Sequence, residues 1–281
     1  MKCYWDALLS ILPASIRSSV DKFKCKSIQE IRLRIDQSVE LTGQTGFYIL
    51  PHLTTGDDIC FCINTASKFS PWAVNTFQHG FITAPGGHRI GLCGTFIKNS
   101  SDTATLKDIT SICIRVSRDI PGLASGVMGL RGSTLIIGSP GSGKTTLLRD
   151  LIRQKSNDGQ CVCVVDERQE IFPIWQGSFC YDVGKRTDVI GNCSKRTGIE
   201  MLLRAMGPEI IAVDEITAEA DARTLLKAGW CGVSVIATAH AYDRAELYTR
   251  PVYKTIVDAA LFDNLIIMRQ DKSWSLERMK L

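Results

Sequence analysis

The groups best suited to chemistry sit together in Gly138-Ser139-Pro140-Gly141-Ser142-Gly143-Lys144-Thr145-Thr146. A triphosphate is wrapped by backbone N–H groups, and glycines at 138, 141 and 143 keep side chains out of that approach. Lys144 is a mobile charge for the β- and γ-phosphate oxygens, and the Thr145 hydroxyl is a ligand for Mg²⁺. All nine residues are therefore candidates for holding a nucleotide, with ATP and Mg²⁺ as the expected ligands.

Three more groups stand at the ends of apolar runs. Ile210-Ile211-Ala212-Val213 ends in Asp214-Glu215, the finish of a Walker B strand. There Asp214 would complete the Mg²⁺ shell, through water, and Glu215 would polarise the attacking water. Cys161-Val162-Cys163-Val164-Val165 ends in Asp166-Glu167-Arg168-Gln169-Glu170, a second acidic group able to orient a nucleophilic water. Val233 to Ala237 ends in Thr238-Ala239-His240, where a Thr and a His can report whether a γ-phosphate is present. Which of Glu167, Glu170 and Glu215 orients the water stays open on residue type alone.

These groups need strands that deliver them to one edge. Apolar runs at 134–137, 161–165, 210–213, 233–238 and 265–269 alternate with helical patterns, as in a parallel sheet covered on both faces. Such sheets bind ligands at the carboxyl ends of their strands. The helix opening at Lys144 points its positive end at the phosphates.

Before that, the pattern is different. Trp5, Leu8, Leu9, Leu12 and Ile16 have helical spacing, which Pro13 should kink or shorten. Glu30 to Ile35 alternates as a half-buried strand with Arg32 and Arg34 outward, and Val39-Glu40-Leu41 and Phe47-Tyr48-Ile49 read as a hairpin. A helix follows over 55–67, capped by Thr55 or Asp57, and Ser70-Pro71 reads as the start of another. Phe81-Ile82-Thr83 pairs with Arg89 to Phe96, and Thr110 to Val116 adds a strand. The expected division is a small α+β N-terminal domain over 1–120, a linker over 121–132 marked by Pro121-Gly122, and a nucleotide-binding domain over 133–281.

Composition narrows the classes. With 281 residues, 44% of them hydrophobic and 22% charged, the chain has a core to build and is not a disordered polymer. A formal charge of +4 is too small to announce nucleic acid. Eleven cysteines without C-x-x-C spacing or a cleavable leader fit a reducing cytoplasm, with Cys60/Cys62 and Cys161/Cys163 as small hydrophobes and no metal assigned to them. No apolar stretch approaches the roughly 18 to 20 residues that span a bilayer, so membrane association is expected only peripherally, through partners.

In their order along the chain, the phosphate loop, the acidic box at 166–170, the Asp214-Glu215 strand end and the Thr238-x-His240 box resemble the secretion-type ATPases of type II and type IV secretion and pilus retraction. That resemblance implies a RecA-like P-loop ATPase domain and makes the last acid of the box, Glu170, the catalytic base. A closer resemblance, along nearly the whole chain, is to the stage III sporulation protein AA family. It is carried by Glu30-Ile31-Arg32-Leu33-Arg34, Gly87-His88-Arg89-Ile90-Gly91-Leu92-Cys93-Gly94, Lys144 to Asp150, Val164 to Arg168, and Arg186-Thr187-Asp188-Val189. The chain departs from the family's usual Pro at Ser194 and usual Gly at Thr217. The resemblance implies a hexameric ring at the cytoplasmic face of a mother cell–forespore channel, with the membrane protein stage III sporulation protein AB as neighbour. The resemblance to secretion-type ATPases also points to arginines of the N-terminal domain, Arg89, Arg115 and Arg118, as the source of extra positive charge, with Arg115 and Arg118 taken as candidate catalytic groups.

Two other classes compete with a transport ATPase. A nucleic-acid-binding ATPase would need a concentrated basic and aromatic module, and the basic residues here are scattered. A small-molecule kinase would need an acceptor pocket and a lid, and neither is visible in the sequence.

Overall fold

The computed structural model describes residues 3–23, 28–43, 46–67, 80–98 and 104–279, arranged as two compact units. The first comprises residues 1–119 and 173–181, the second 120–172 and 182–281. The expected helix start at Ser70-Pro71 and the turn residues Gln44-Thr45 lie outside the described residues.

The first unit is built on a six-stranded sheet in the order β3-β2-β1-β6-β5-β4. Its strands are β1 (Ile28–Arg34), β2 (Ser38–Gly43), β3 (Gly46–Leu53), β4 (Phe81–Thr83), β5 (Arg89–Lys98) and β6 (Ala104–Arg115), all paired antiparallel. Alternation along β1 buries Ile31 and Leu33 and turns Arg32 and Arg34 to the open face. The inward face packs with α1 (Trp5–Ser10), α2 (Ala14–Asp21) and α3 (Gly56–Ser67) into one apolar cluster. Pro13 divides the N-terminal apolar pattern into two helices, because its extended ψ of 150° ends the first and opens the second. At α3 the cap is Thr55: its hydroxyl accepts the Asp58 N–H at 3.1 Å, and Asp58 accepts the Thr55 N–H at 2.9 Å.

Segment 173–181 carries a two-stranded hairpin, β9 (Ile174–Trp175) with β10 (Ser178–Phe179). The Trp175 indole donates to Ala66 O at 3.2 Å, and Tyr181 Oη donates to Ser117 Oγ at 2.5 Å.

The second unit holds a seven-stranded sheet in the order β11-β8-β12-β13-β7-β14-β15. Its members are β7 (Thr134–Gly138), β8 (Val162–Asp166), β11 (Thr187–Gly191), β12 (Ile210–Val213), β13 (Ser234–Ala239), β14 (Asn264–Met268) and β15 (Trp274–Arg278). Six run parallel, and β15 closes the edge antiparallel to β14. The five expected strands are all present, and two edge strands, β11 and β15, add to them. Edge strands bury only part of each side chain, so Thr187-Asp188-Val189 and Trp274-Ser275-Leu276 lack the continuous apolar run of the central strands. Around the sheet lie α4 (Lys144–Asn157), α5 (Lys195–Ala205), α6 (Glu219–Trp230), α7 (Arg244–Thr249) and α8 (Pro251–Asp258). Leu135, Ile137, Val165, Ile211, Val213 and Val235 are fully or almost fully buried, each contributing about 1.5–3 kcal/mol of burial to the unit.

Residues 121–132 are fastened to α4. Asp150 accepts the N–H groups of Gly122 at 3.1 Å and Ala124 at 2.8 Å, while Lys155 donates to the carbonyls of Met128 and Leu130. Cys3 is disulfide-bonded. Cys60, Cys62, Cys161 and Cys163 are free thiols. Among the described residues no helix is long and apolar enough to cross a membrane.

Candidate nucleotide site

The phosphate loop joins β7 to α4, as its composition requires. Gly138 lies at φ 156°, where an added Cβ would meet Met268 O and Ser142 Oγ at 2.6 Å. Gly143, at φ 105°, caps α4 in left-handed geometry that other residues resist. Ser142 Oγ is buried with no hydrogen-bond partner among the described residues, an unused polar atom inside the loop. A side-chain-free cradle with a spare donor fits an oxyanion ligand.

Lys144 is 6% exposed, and its ammonium donates to Gly138 O at 2.8 Å, Ser139 O at 2.9 Å and His240 Nδ1 at 3.1 Å. Burial lowers its pKa, against the opposing pull of Asp214 and Glu215. Thr145 Oγ1 donates to Asp214 Oδ2 at 2.8 Å, linking the loop to the end of β12. Two hard oxygens side by side suit Mg²⁺ rather than a softer ion.

β13 lies between β12 and β7, and its carboxyl end organises this neighbourhood. Thr238, fully buried, donates to Asp214 Oδ1 and accepts the Glu215 N–H at 2.8 Å. Thr238 therefore orients the two strand-end acids rather than facing outward. Two residues on, His240 Nε2 lies 2.8 Å from Glu215 Oε1. With Nδ1 accepting from Lys144, the neutral tautomer protonated at Nε2 satisfies both contacts. The same Glu215 accepts from Arg168 at 2.9 Å, so Lys144, His240, Glu215 and Arg168 form one chain. Glu215 adopts φ 54°, a strained value for a residue other than glycine.

The acidic box divides its labour. Asp166, 2% exposed, accepts the N–H groups of Glu170 (2.8 Å), Ile171 (3.1 Å) and Phe172 (2.8 Å), folding the loop that presents Glu170. Burial pushes the Asp166 carboxyl up to about 6, in spite of the Phe172 and Ile171 donors and with help from Asp214. Glu167 is held by the buried Lys195 at 2.6 Å, while Glu215 is held by His240 and Arg168. A cavity of about 20 Å³, with Glu167, Glu170, Asp214, Glu215 and Arg168 in its lining, is roughly the size of one water.

Several supports carried no signal in the sequence. From α4, Arg149 donates to the carbonyls of Glu170 (2.7 Å) and Ile171, and Arg153 donates to Asp182 O at 2.8 Å. The chain thus leaves the second unit after Phe172 and returns at Asp182 with both points hydrogen-bonded to the helix of the phosphate loop. The turn between β14 and β15 reaches that loop too: Gln270 donates to Ser139 Oγ and Lys272 to Gly141 O. Arg250 and Tyr253 hold the backbone of His240. Of the two departures from the family pattern, Ser194 caps α5 by accepting the Thr197 N–H, and Thr217, just before α6, donates its N–H and hydroxyl to Asp221.

The candidate arginines belong to the first unit. Arg118 donates to Ile28 O, and burial lowers its pKa. Arg115 lies 3.5 Å from Glu30 with 64% of its side chain exposed, and Arg89 stacks on Phe81 at 3.9 Å.

Comparison with known proteins agrees with this architecture. The family profile "Sporulation stage III, protein AA" matches residues 5–276. Stage III sporulation protein AA of Bacillus subtilis (strain 168) is 33% identical over 281 residues, covering 95% of this chain and 92% of that protein. The Legionella pneumophila ATPase DotB superposes with a TM-score of 0.58 at 17% identity, covering 95% of this chain and 80% of its own. The pilus retraction motor PilT, solved with bound ADP, gives 0.57 at 14% identity over 89% and 76%. At such identities the likeness is one of fold, a RecA-like α/β domain with a parallel sheet. By sequence, the chain belongs to the sporulation stage III protein AA family.

Proposed function

We propose that this protein is a Mg²⁺-dependent ATPase that powers or assembles a secretion-like channel between mother cell and forespore. The observation that carries the reading is the bond from Thr145 to Asp214, with His240 bridging Lys144 and Glu215 alongside. Loop, strand end and sensor strand are thereby one hydrogen-bonded unit, the arrangement that in-line attack on a γ-phosphate requires.

In this reading residues 138–146 hold the phosphates, and Thr145 and Asp214 hold Mg²⁺. The ion would neutralise charge on the β- and γ-oxygens. The protein's own groups do the rest. Lys144 carries positive charge to the bridging region, and one of Glu170 and Glu215, on the same small cavity, takes the proton of the attacking water. His240 fixes one Glu215 oxygen and Arg168 the other, so a change at Lys144 is felt at Glu215 through a single ring.

Domains 1–120 and 133–281 with a linker at 121–132 belong to the same proposal, segment 173–181 grouping with the first unit. So do Arg115 and Arg118 as donors of positive charge from the N-terminal domain, of which Arg115 is the more exposed. Membership of the family supports the sporulation setting, a hexameric ring, a place at the cytoplasmic membrane face and stage III sporulation protein AB as neighbour. The test is an ATPase assay with Mg²⁺, run with and without single-stranded DNA and with the detergent-solubilised membrane partner. Stimulation by the partner is expected, and stimulation by nucleic acid alone would overturn the channel reading.

A further inference from the structure

At the amino-terminal end of β8, away from the strand ends that carry the nucleotide groups, Cys161, Cys163 and Asp188 come together. Cys161 and Cys163 are two apart on an extended chain and so share one face of the sheet. Parallel pairing sets Asp188 of β11 directly opposite Cys163. As a result the two sulfurs and a carboxylate oxygen all lie within 4.8 Å of one another. Nothing about the nucleotide site requires this.

Small buried thiols are a normal way to fill a sheet face, and that explains Cys163, which is fully buried in the core. It does not explain Asp188. Its half-buried carboxylate makes no hydrogen bond or ion pair with any described residue, yet it is turned toward two sulfurs. A carboxylate partly removed from water is costly to leave uncompensated.

We propose that Cys161, Cys163 and Asp188 bind a thiophilic divalent cation of the zinc class, pinning the edge strand β11 to β8. Two thiolates exclude Mg²⁺ and Ca²⁺ and suit Zn²⁺, whose tetrahedral bonds of about 2.0–2.3 Å separate ligand atoms by roughly 3.3–3.8 Å. The widest pair would close by about 1 Å, within the reach of side-chain rotation. Water would complete the shell. Metal binding to thiolates displaces their protons. Because β8 ends at Asp166, the ion would brace the strand that bears the acidic box.

The test uses the full chain and Zn²⁺ alone, in competition with a chromophoric chelator, alongside Cys161→Ser, Asp188→Asn and Cys163→Ser. One equivalent of Zn²⁺ per chain is expected, with affinity falling on the order of 100-fold or more in Cys161→Ser, beyond the 10- to 100-fold of second-shell losses. Zn²⁺ should raise the melting temperature of the wild type and leave that of Cys161→Ser unchanged. Cys161 and Asp188 are only half-buried, so their variants keep the test valid if Cys163→Ser fails to fold. Cd²⁺ should give the ultraviolet charge-transfer band of two thiolates per ion. Binding below one equivalent, or affinity unchanged in both Cys161→Ser and Asp188→Asn, would overturn the site whatever the fate of the ATPase reading.

Discussion

Replacing Asp166 by Ala tests whether the acidic box is positioned by a buried acid. The substitution leaves three N–H groups, those of Glu170, Ile171 and Phe172, without their acceptor. At about 2 kcal/mol for each orphaned donor the loss is about 6 kcal/mol. Against it stands the cost of keeping the carboxylate ionised in a buried place. A pKa raised from 3.8 to about 6 corresponds to about 3 kcal/mol at neutral pH. The variant should therefore be less stable by roughly 3 kcal/mol at pH 7. The sign of the pH dependence follows from the raised pKa: the stability this group contributes is fully present below pH 3.8 and is lost as the pH rises through about 6. Hence the deficit of the variant should widen on acidification. Urea unfolding at pH 7 and pH 5 measures it, and hydrogen exchange at 170–172 localises it. Turnover should fall by about 10²-fold as Glu170 loses its place, with ATP affinity within a few-fold of wild type. A deficit under about 1 kcal/mol together with near-normal turnover would refute the positioning argument.

Three further outcomes are expected. Lys144→Ala should abolish binding of a fluorescent ATP analogue, because the loop backbone alone cannot neutralise the phosphates; affinity within a few-fold of wild type would contradict this. His88, fully buried between Tyr4 O and the Ser117 N–H, is held by burial at about 4. Its contribution, up to about 3 kcal/mol, is present above pH 6.5 and lost as the pH falls from 6.5 to about 4, so a His88 substitution that folds should flatten the acid limb of unfolding. Residues 130–281 alone should bind ATP yet turn it over poorly, and Arg115→Ala in the full chain should lower turnover with little effect on affinity; a fragment as fast as the full chain removes the N-terminal arginines from the mechanism.

Much of this architecture is written in local patterns. Buried parallel strands are continuous apolar runs, so Thr134 to Gly138, Ile210 to Val213 and Ser234 to Ala239 announce themselves, as do the glycines and Lys-Thr of the phosphate loop. What escapes is set by long-range contact. Asp166 and Glu170 look alike as acids in one loop, and only the fold buries the first beneath three N–H groups. Arg149, Arg153 and Lys272 read as ordinary helix or turn charges until their carbonyl partners arrive from 21 to 131 positions away. The edge strands β11 and β15 lack an apolar run because they cover little of it. At the two departures, Ser194 caps α5 and Thr217 donates to Asp221 in the first turn of α6, contacts visible only with the helices in place.

In the proposed mechanism one hydrogen-bonded unit binds ATP through Lys144 and activates water at Glu170 or Glu215. Its most direct test is single-turnover phosphate release from ATP and Mg²⁺, measured beside nucleotide binding for wild type, Glu170→Gln and Glu215→Gln. Binding is expected to be nearly unchanged and release slowed by roughly 10²-fold or more in at least one of the two variants. Release at the wild-type rate in both would contradict it.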